Sequence, residues 1–236
     1  MNGKMNSLRV VGILVMAFLL VAGTFGFARA NDAMDARHLV EKARLTLDSF
    51  DKAKDMSSFR DLLKDAKGVF IAPQILKGAF IVGASGGSGV FMVRDTTTGK
   101  WSQPAFYTIG SASFGLQIGG QASEVVLLAM TDRGVTALLS NSVKLGADVG
   151  VAAGPVGVGA SAATANLSAD ILSFARSKGL FAGISLDGAV VKVRDSLNDA
   201  YYQAKVTPTD ILVKRTAMNR HSERLISAIT IDAAKG

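Results

Sequence analysis

The chain of 236 residues has no cysteine, only two histidines and only four prolines. Without cysteine it has no disulfide, no thiolate nucleophile, no thiolate metal site and no lipid-modified cysteine. Because His38 and His221 are the only imidazoles, zinc chemistry built on paired histidines is not expected. The sequence therefore predicts no cofactor and no metal site. An apolar fraction of 49% with 19% charged residues is ordinary for a chain that buries a core, and this excludes global disorder.

Residues 1–30 carry the pattern of a secretory signal peptide. Lys4 and Arg9 are followed by an apolar run over residues 10–27, and Ala28-Arg29-Ala30 then places small residues where a signal peptidase reads them. The alternative is an uncleaved membrane anchor, because an apolar run of this length just spans a bilayer. Glycines near the end of the run weaken a helix there and favour cleavage. The expected product is a periplasmic or secreted protein.

Cleavage would change what the charge of the chain implies. Residues 1–30 contain three basic residues and no acidic one, so their removal lowers the formal net charge from +7 to +4. No dense stripe of lysine and arginine remains, and nucleic acid is therefore not an expected partner. Residues 31–236 show no shift in composition that marks a boundary, and they are predicted to form a single domain.

Residues 32–52 are predicted to form an amphipathic helix, because apolar residues recur at three- and four-residue spacing on one face. Two interpretations of this helix are open. In the first, its apolar face covers the β core. In the second, that face enters a bilayer while nearby cations meet anionic headgroups. The candidate lipid contacts are the apolar Leu39, Val40, Leu47 and Phe50 and the basic Lys42, Arg44, Lys52 and Lys54.

The pattern of apolar residues and glycines changes at Gly68. From there to about Val193 it consists of short apolar runs of strand length separated by glycines. Helix-start signals follow at Thr131 and at Thr207-Pro208, and a last helix is expected from about Ser222. The predicted fold class is α+β, with a glycine-rich, mainly antiparallel β core that is barrel- or sandwich-like and is flanked by N-terminal and C-terminal helices.

Residues 83–87 match the G-x-S-x-G pattern of a serine hydrolase, with Ser85 as the nucleophile. That motif requires a strand-to-helix turn and a downstream histidine base. Here the next residues read as a strand, and the downstream His221 lies in a polar stretch. The favoured interpretation is a glycine-rich turn between strands, and the chain is predicted not to be an enzyme. A hydrolase using Ser85 is the alternative from another functional class.

Several stretches, taken in order, resemble the SYLF-domain family, which includes yeast SH3-containing actin-patch regulators and many exported bacterial proteins. The matching stretches are residues 66–73, 78–89, 101–106, 110–120, 153–157 and 177–186, followed by Asn198, Tyr201-Tyr202 and Asp210-Ile211-Leu212. The likeness covers about residues 36–230. It implies a non-enzymatic domain that binds phospholipid with the help of an N-terminal amphipathic helix. The same interpretation gives Trp101, Pro104 and Phe106 core or turn roles.

The resemblance and the residues together predict an exported, non-enzymatic domain that binds phospholipid or an anionic membrane surface. The alternative is an envelope structural module, or a module that binds a protein partner without lipid contact. The resemblance also implies actin binding for some yeast members, but an exported chain is not expected to meet actin.

Overall fold

The computed structural model describes residues 31–79, 82–114, 119–157 and 169–234. The predicted signal peptide lies outside these residues. The helices are α1 (residues 31–52), α2 (Ser57–Asp65), α3 (Asp132–Leu139), α4 (Asp195–Tyr202), α5 (Pro208–Leu212) and α6 (Glu223–Ala234), with short 3-10 turns at Lys54–Met56 and Arg220–Ser222. The strands are β1 (Gly68–Ala79), β2 (Val82–Val93), β3 (Ala105–Phe114), β4 (Gly119–Ala129), β5 (Ser142–Lys144), β6 (Val151–Ala153), β7 (Ile171–Ser177), β8 (Leu180–Gly183) and β9 (Val190–Val193).

The nine strands form one sheet that curls like half of a barrel. Its strand order is β5-β9-β3-β2-β1-β4-β7-β6, and β8 pairs with β7 beside β6. Every pair of neighbouring strands in the described residues is antiparallel except β6 and β7. Because helices lie at both ends of the chain, the predicted α+β class with a mainly antiparallel core is confirmed.

The central part of the sheet is buried on both faces. Helices α1, α2 and α6 pack on one face with Val69 and Ile71, whereas α3 and α5 pack on the other with Phe70 and Ala72. Burial on both faces explains why the strands read as continuous apolar runs instead of alternating ones. Among the described residues, the buried apolar side chains run from Ala36 in α1 to Ile229 in α6.

The glycine-rich residues 83–89 lie inside β2, so the prediction of a turn between strands is wrong. The pairing registers of β1 with β2 and with β4 both shift next to Pro73, where a proline without an N–H interrupts a central strand. The shift brings the backbone of Gln74 so close to Gly87 that an added Cβ would lie 2.1 Å from the Gln74 carbonyl oxygen. Glycine is required there by a close approach of two strands, and not by a turn.

Several local predictions are confirmed. Thr131 caps α3 through the N–H of Gly134, and Thr207 forms a capping box with Asp210 at the start of α5. Trp101 and Phe106 are buried, at 5% and 0% exposure, which fits core roles. Within the described residues, no helix combines the length and the apolar character needed to cross a bilayer.

Candidate binding surface along the first helix

The apolar face of α1 lies against the sheet. Leu39, Val40, Leu47 and Phe50 are 9%, 1%, 0% and 0% exposed, and the ring centroid of Phe50 lies 5.0 Å from that of Phe181. This burial supports the interpretation in which the helix covers the β core. In this structure the four side chains are part of the core. Exposing them would cost about 1.5–3 kcal/mol for each side chain.

The four basic residues predicted as lipid contacts do not form one patch. Arg44 is half-buried, with its Nε 3.5 Å from Glu41 Oε2 and its Nη1 3.2 Å from Asp48 Oδ2. The Nζ of Lys52 lies 3.6 Å from the same Asp48 carboxylate. Lys54 is exposed in the 3-10 turn after the helix. Two of the predicted cations are therefore already neutralised by neighbours on α1.

Lys42 differs from these residues because it lies in a groove between α1 and the sheet. Its side chain is exposed, and no carboxylate of the described residues lies within 4.0 Å of its Nζ. It lines two adjoining clefts of about 420 and 330 Å³, which also share Pro73 and Gln74 at the bulge of β1. We call the two clefts together the α1 groove. Its wall is α1 from Asp35 to Thr46, and its floor crosses β2, β1, β4 and the end of β7.

Positive charge predominates along the α1 groove. Lys178 is exposed at one end and Arg194 lies at the other, and neither has an ion pair within the described residues. The Nη1 of Arg194 donates a hydrogen bond of 2.8 Å to Ser88 Oγ, which holds the guanidinium at the floor. Asp35 is the acidic residue at the same end. With Lys42 between them, Lys178 and Arg194 complete a row of three cations without acidic partners.

Two further charged residues of the groove, Arg176 and Glu124, are paired with each other. Arg176 Nη1 lies 3.2 Å from Glu124 Oε2, and Thr46 Oγ1 donates a 3.2 Å hydrogen bond to Glu124 Oε1. Arg176 also lies over the ring of Phe181, 5.7 Å from its centroid. These contacts join α1 to β4 and β7, and they fix the wall of the groove to its floor.

Exposed apolar side chains border the groove and the outer side of α1. Leu45 and Leu76 are 56% and 57% exposed, and they line the two clefts. Met34 is 54% exposed, and it lies eleven residues before Leu45, which places both on the same side of an α-helix. These three residues are absent from the sequence-based site because that prediction assigned the apolar contacts to the buried face. We call Met34, Leu45, His38, Lys42 and Lys52 the outer side of α1.

Among the described residues, Ser85 does not have the surroundings that the G-x-S-x-G motif requires. It occupies the interior of β2, where its Oγ is 2.8 Å from Ser111 Oγ, and it is not on a strand-to-helix turn. His221 hydrogen-bonds elsewhere: its Nδ1 is 3.3 Å from Tyr201 OH, and its Nε2 is 3.5 Å from Glu41 Oε1. Burial is the largest cause of the lowered pKa of His221; Glu41 raises this pKa by a smaller amount, and Arg37 and Arg224 lower it. The local context that activates a serine in this motif is therefore lacking around Ser85.

Comparison with known protein families identifies the family of this chain. Residues 110–231, more than half of its length, match the Ysc84 family, described as Las17-binding protein actin regulator. The chain belongs to this family. This agrees with the resemblance to SYLF-domain proteins, because the Ysc84 and SYLF names denote the same domain. The matched region contains much of the sheet and the C-terminal helices, whereas α1 precedes it.

Curated relatives extend the match across most of this chain. The SH3 domain-containing YSC84-like protein 1 of Homo sapiens is 34% identical over 166 residues, which are 70% of this chain and 48% of that protein. The LAS seventeen-binding protein 3 of Saccharomyces cerevisiae is 35% identical over 159 residues, or 66% of this chain and 34% of that protein. The chain thus spans between a third and a half of the length of these relatives. The yeast relative is named as a binding protein, and the family description names an actin regulator.

Proposed function

We propose that this chain is a non-catalytic binding domain whose ligand is a protein partner. The family description and the names of the relatives support a binding role, although those names describe longer proteins. The observation that carries the proposal is the burial of Leu39, Val40, Leu47 and Phe50 against the sheet. Because the most apolar surface of α1 is used for folding, the exposed surface beside it is a groove with mixed charged, polar and apolar lining. Such a surface suits a protein ligand better than insertion into hydrocarbon.

Chemical cross-linking in the cells that produce the full chain, followed by mass spectrometry, tests this proposal. A partner counts only when the complex forms again from the two purified proteins and its dissociation constant is measured by calorimetry. Val213→Ser is a suitable control, because Val213 is 54% exposed directly after α5, on the face of the sheet opposite to α1. The proposal fails if no cross-linked protein reconstitutes a complex with the purified chain.

A second candidate function is reversible contact with an anionic membrane surface through the outer side of α1. The favouring observation is that Met34 and Leu45 are more than half exposed on the side of the helix that carries Lys42 and Lys52. Each cation near an anionic surface contributes about 1 kcal/mol, so contact would be weak and sensitive to salt. This candidate uses a different set of apolar residues from the sequence-based prediction.

Co-sedimentation with vesicles tests the second candidate. The chain should pellet at low salt with vesicles that contain phosphatidylglycerol and should stay in solution with phosphatidylcholine alone. Leu45→Ser should weaken pelleting, whereas Val213→Ser should not, because Val213 is 54% exposed directly after α5, which packs on the opposite face of the sheet from α1. Equal pelleting of both variants would assign any lipid contact to another surface.

We also propose that the protein is exported, with cleavage after Ala30. The proposal is supported by the order of basic, apolar and small residues in the sequence of residues 1–30. The intact mass and the N-terminal sequence of the protein recovered from its own cells test it. A mature protein that begins at Asn31 is the expected result, and a protein that retains Met1 would contradict cleavage.

A further inference from the structure

The α1 groove has the length of a short extended peptide. Its wall runs along α1 from Asp35 to Thr46, which corresponds to about 16 Å at 1.5 Å per residue. Its floor crosses four neighbouring strands, whose three spacings add to about 14 Å. Five residues of extended chain span about 16 Å. Two independent measures of the groove therefore agree with a segment of about five residues.

The cations of the groove are distributed along this length and not gathered at one point. Arg194 lies at the end near Asp35, Lys42 lies where the two clefts meet, and Lys178 lies at the end near β7. A compact anion, such as a single phosphate, would contact only one of these positions. A ligand that uses all three must carry several negative charges along an extended chain.

Each of the two clefts also contains an exposed leucine. Leu76 lines the cleft that contains Arg194, and Leu45 lines the cleft that contains Lys178, both more than half exposed. Successive side chains of an extended peptide point in opposite directions, so acidic residues at alternate positions place apolar residues between them. Gly86 has no side chain, and its Cβ position lies 3.7 Å from the nearest atom, so it leaves room for a main chain to approach the floor of one cleft.

We infer that the α1 groove binds an extended acidic peptide segment of a partner protein, in which acidic and apolar residues alternate over about five positions. Carboxylates of the segment pair with Arg194, Lys42 and Lys178, and its apolar side chains contact Leu76 and Leu45. This inference rests on the proposed function, since it assigns the partner's segment and the site that holds it.

Fluorescence polarisation with a labelled peptide of sequence GDLELDG, on residues 31–236, tests the inference. The reversed-charge peptide GKLKLKG is the ligand control. The protein variants are Lys42→Glu and the matched Lys52→Glu, which makes the same charge change on the same helix, but at a residue paired with Asp48 outside the groove. Urea unfolding of each variant verifies that it is folded.

The acidic peptide should bind and the basic one should not. Lys42→Glu should weaken binding at least about fivefold, because one attraction becomes a repulsion, while Lys52→Glu should change it less than about twofold. No binding of the acidic peptide to the folded parent chain, or equal loss in both variants, overturns the inference. Binding of phosphatidylglycerol vesicles that depends on Lys42, without peptide binding, overturns it in favour of a lipid site.

The failure of this inference is distinguishable from the failure of the proposed function. If a reconstituted protein partner binds Lys42→Glu as tightly as the parent chain, the proposed function holds and the groove is not its site. If the peptide binds but no protein partner reconstitutes, the groove recognises this chemistry and the proposed function fails.

Discussion

Substitution of Leu47 by alanine measures how strongly α1 is held to the sheet. Leu47 is fully buried, whereas Leu45, two residues earlier on the same helix, is 56% exposed. Leucine to alanine removes three carbon atoms, worth about 2.4 kcal/mol at about 0.8 kcal/mol each, and the remaining cavity adds to this loss. We expect Leu47→Ala to lower the free energy of unfolding by about 3–4 kcal/mol and Leu45→Ala to change it by less than about 0.5 kcal/mol.

Urea unfolding of residues 31–236, monitored by circular dichroism, gives the free energy of unfolding of each variant from the midpoint and the slope of the transition. The slope should stay the same, because the two variants unfold to the same chain. A loss below about 1 kcal/mol for Leu47→Ala, or equal losses for both variants, would refute the packed helix. In that case α1 would be free to leave the sheet, and insertion of its apolar face into a bilayer would again explain its pattern.

Three further predictions use paired substitutions or pH. Gly87→Ala should lower the free energy of unfolding by about 2–4 kcal/mol, because the added Cβ would lie 2.1 Å from a β1 carbonyl oxygen. Gly86→Ala should be close to neutral, because its added Cβ would lie 3.7 Å from the nearest atom. Urea unfolding of both variants checks this difference. Tyr107→Phe should leave the free energy of unfolding unchanged or raise it by up to about 1 kcal/mol, since this buried hydroxyl has no hydrogen-bond partner among the described residues. Tyr202→Phe should lower the free energy of unfolding by about 1 kcal/mol, because it removes a 2.7 Å hydrogen bond to a backbone carbonyl. Because burial lowers the pKa of His221 below the ordinary value of 6.5, the unfolded chain binds a proton more readily than the folded chain does, and the free energy of unfolding should fall as the pH drops below 6.5. His221→Gln should reduce this fall in unfolding curves measured at several pH values. An unchanged fall would contradict the assignment to His221.

The sequence predicts most of the elements whose signals are local. The three- and four-residue spacing of apolar residues identifies α1, and the Thr207-Pro208 start identifies α5 with its capping box. Helix α4 is not predicted, because it has no side-chain cap at Arg194. Its Asn198 instead bonds to both the N–H and the carbonyl of Phe106, a contact between residues 92 positions apart. A contact of this range leaves no periodic pattern in the sequence.

The glycines of β2 show why residues 83–87 are predicted as a turn although they lie inside a strand. A glycine-rich strand and a glycine-rich turn have the same amino-acid composition, and only the position of the neighbouring strand distinguishes them. Here the neighbouring strand is β1, in which the bulge at Pro73 shifts the register of the pairing with both β2 and β4. A proline inside an apolar strand run is itself a signal for a bulge. Read that way, Pro73 would have placed an irregularity in the middle of the sheet, opposite the glycines.

The sequence also contained a signal for the α1 groove. Ion pairs on a helix form at three- and four-residue spacing. Arg44 has acidic residues three positions before and four positions after it, and both form ion pairs with it. Lys42 has histidine, leucine, leucine and threonine at the corresponding four positions, so the helix itself cannot neutralise it. An exposed cation that its own helix leaves unpaired, facing the bulge at Pro73 of β1, marks the place where charge is available to a ligand. That combination separates Lys42 from Arg44, which the amphipathic pattern alone treats as equivalent.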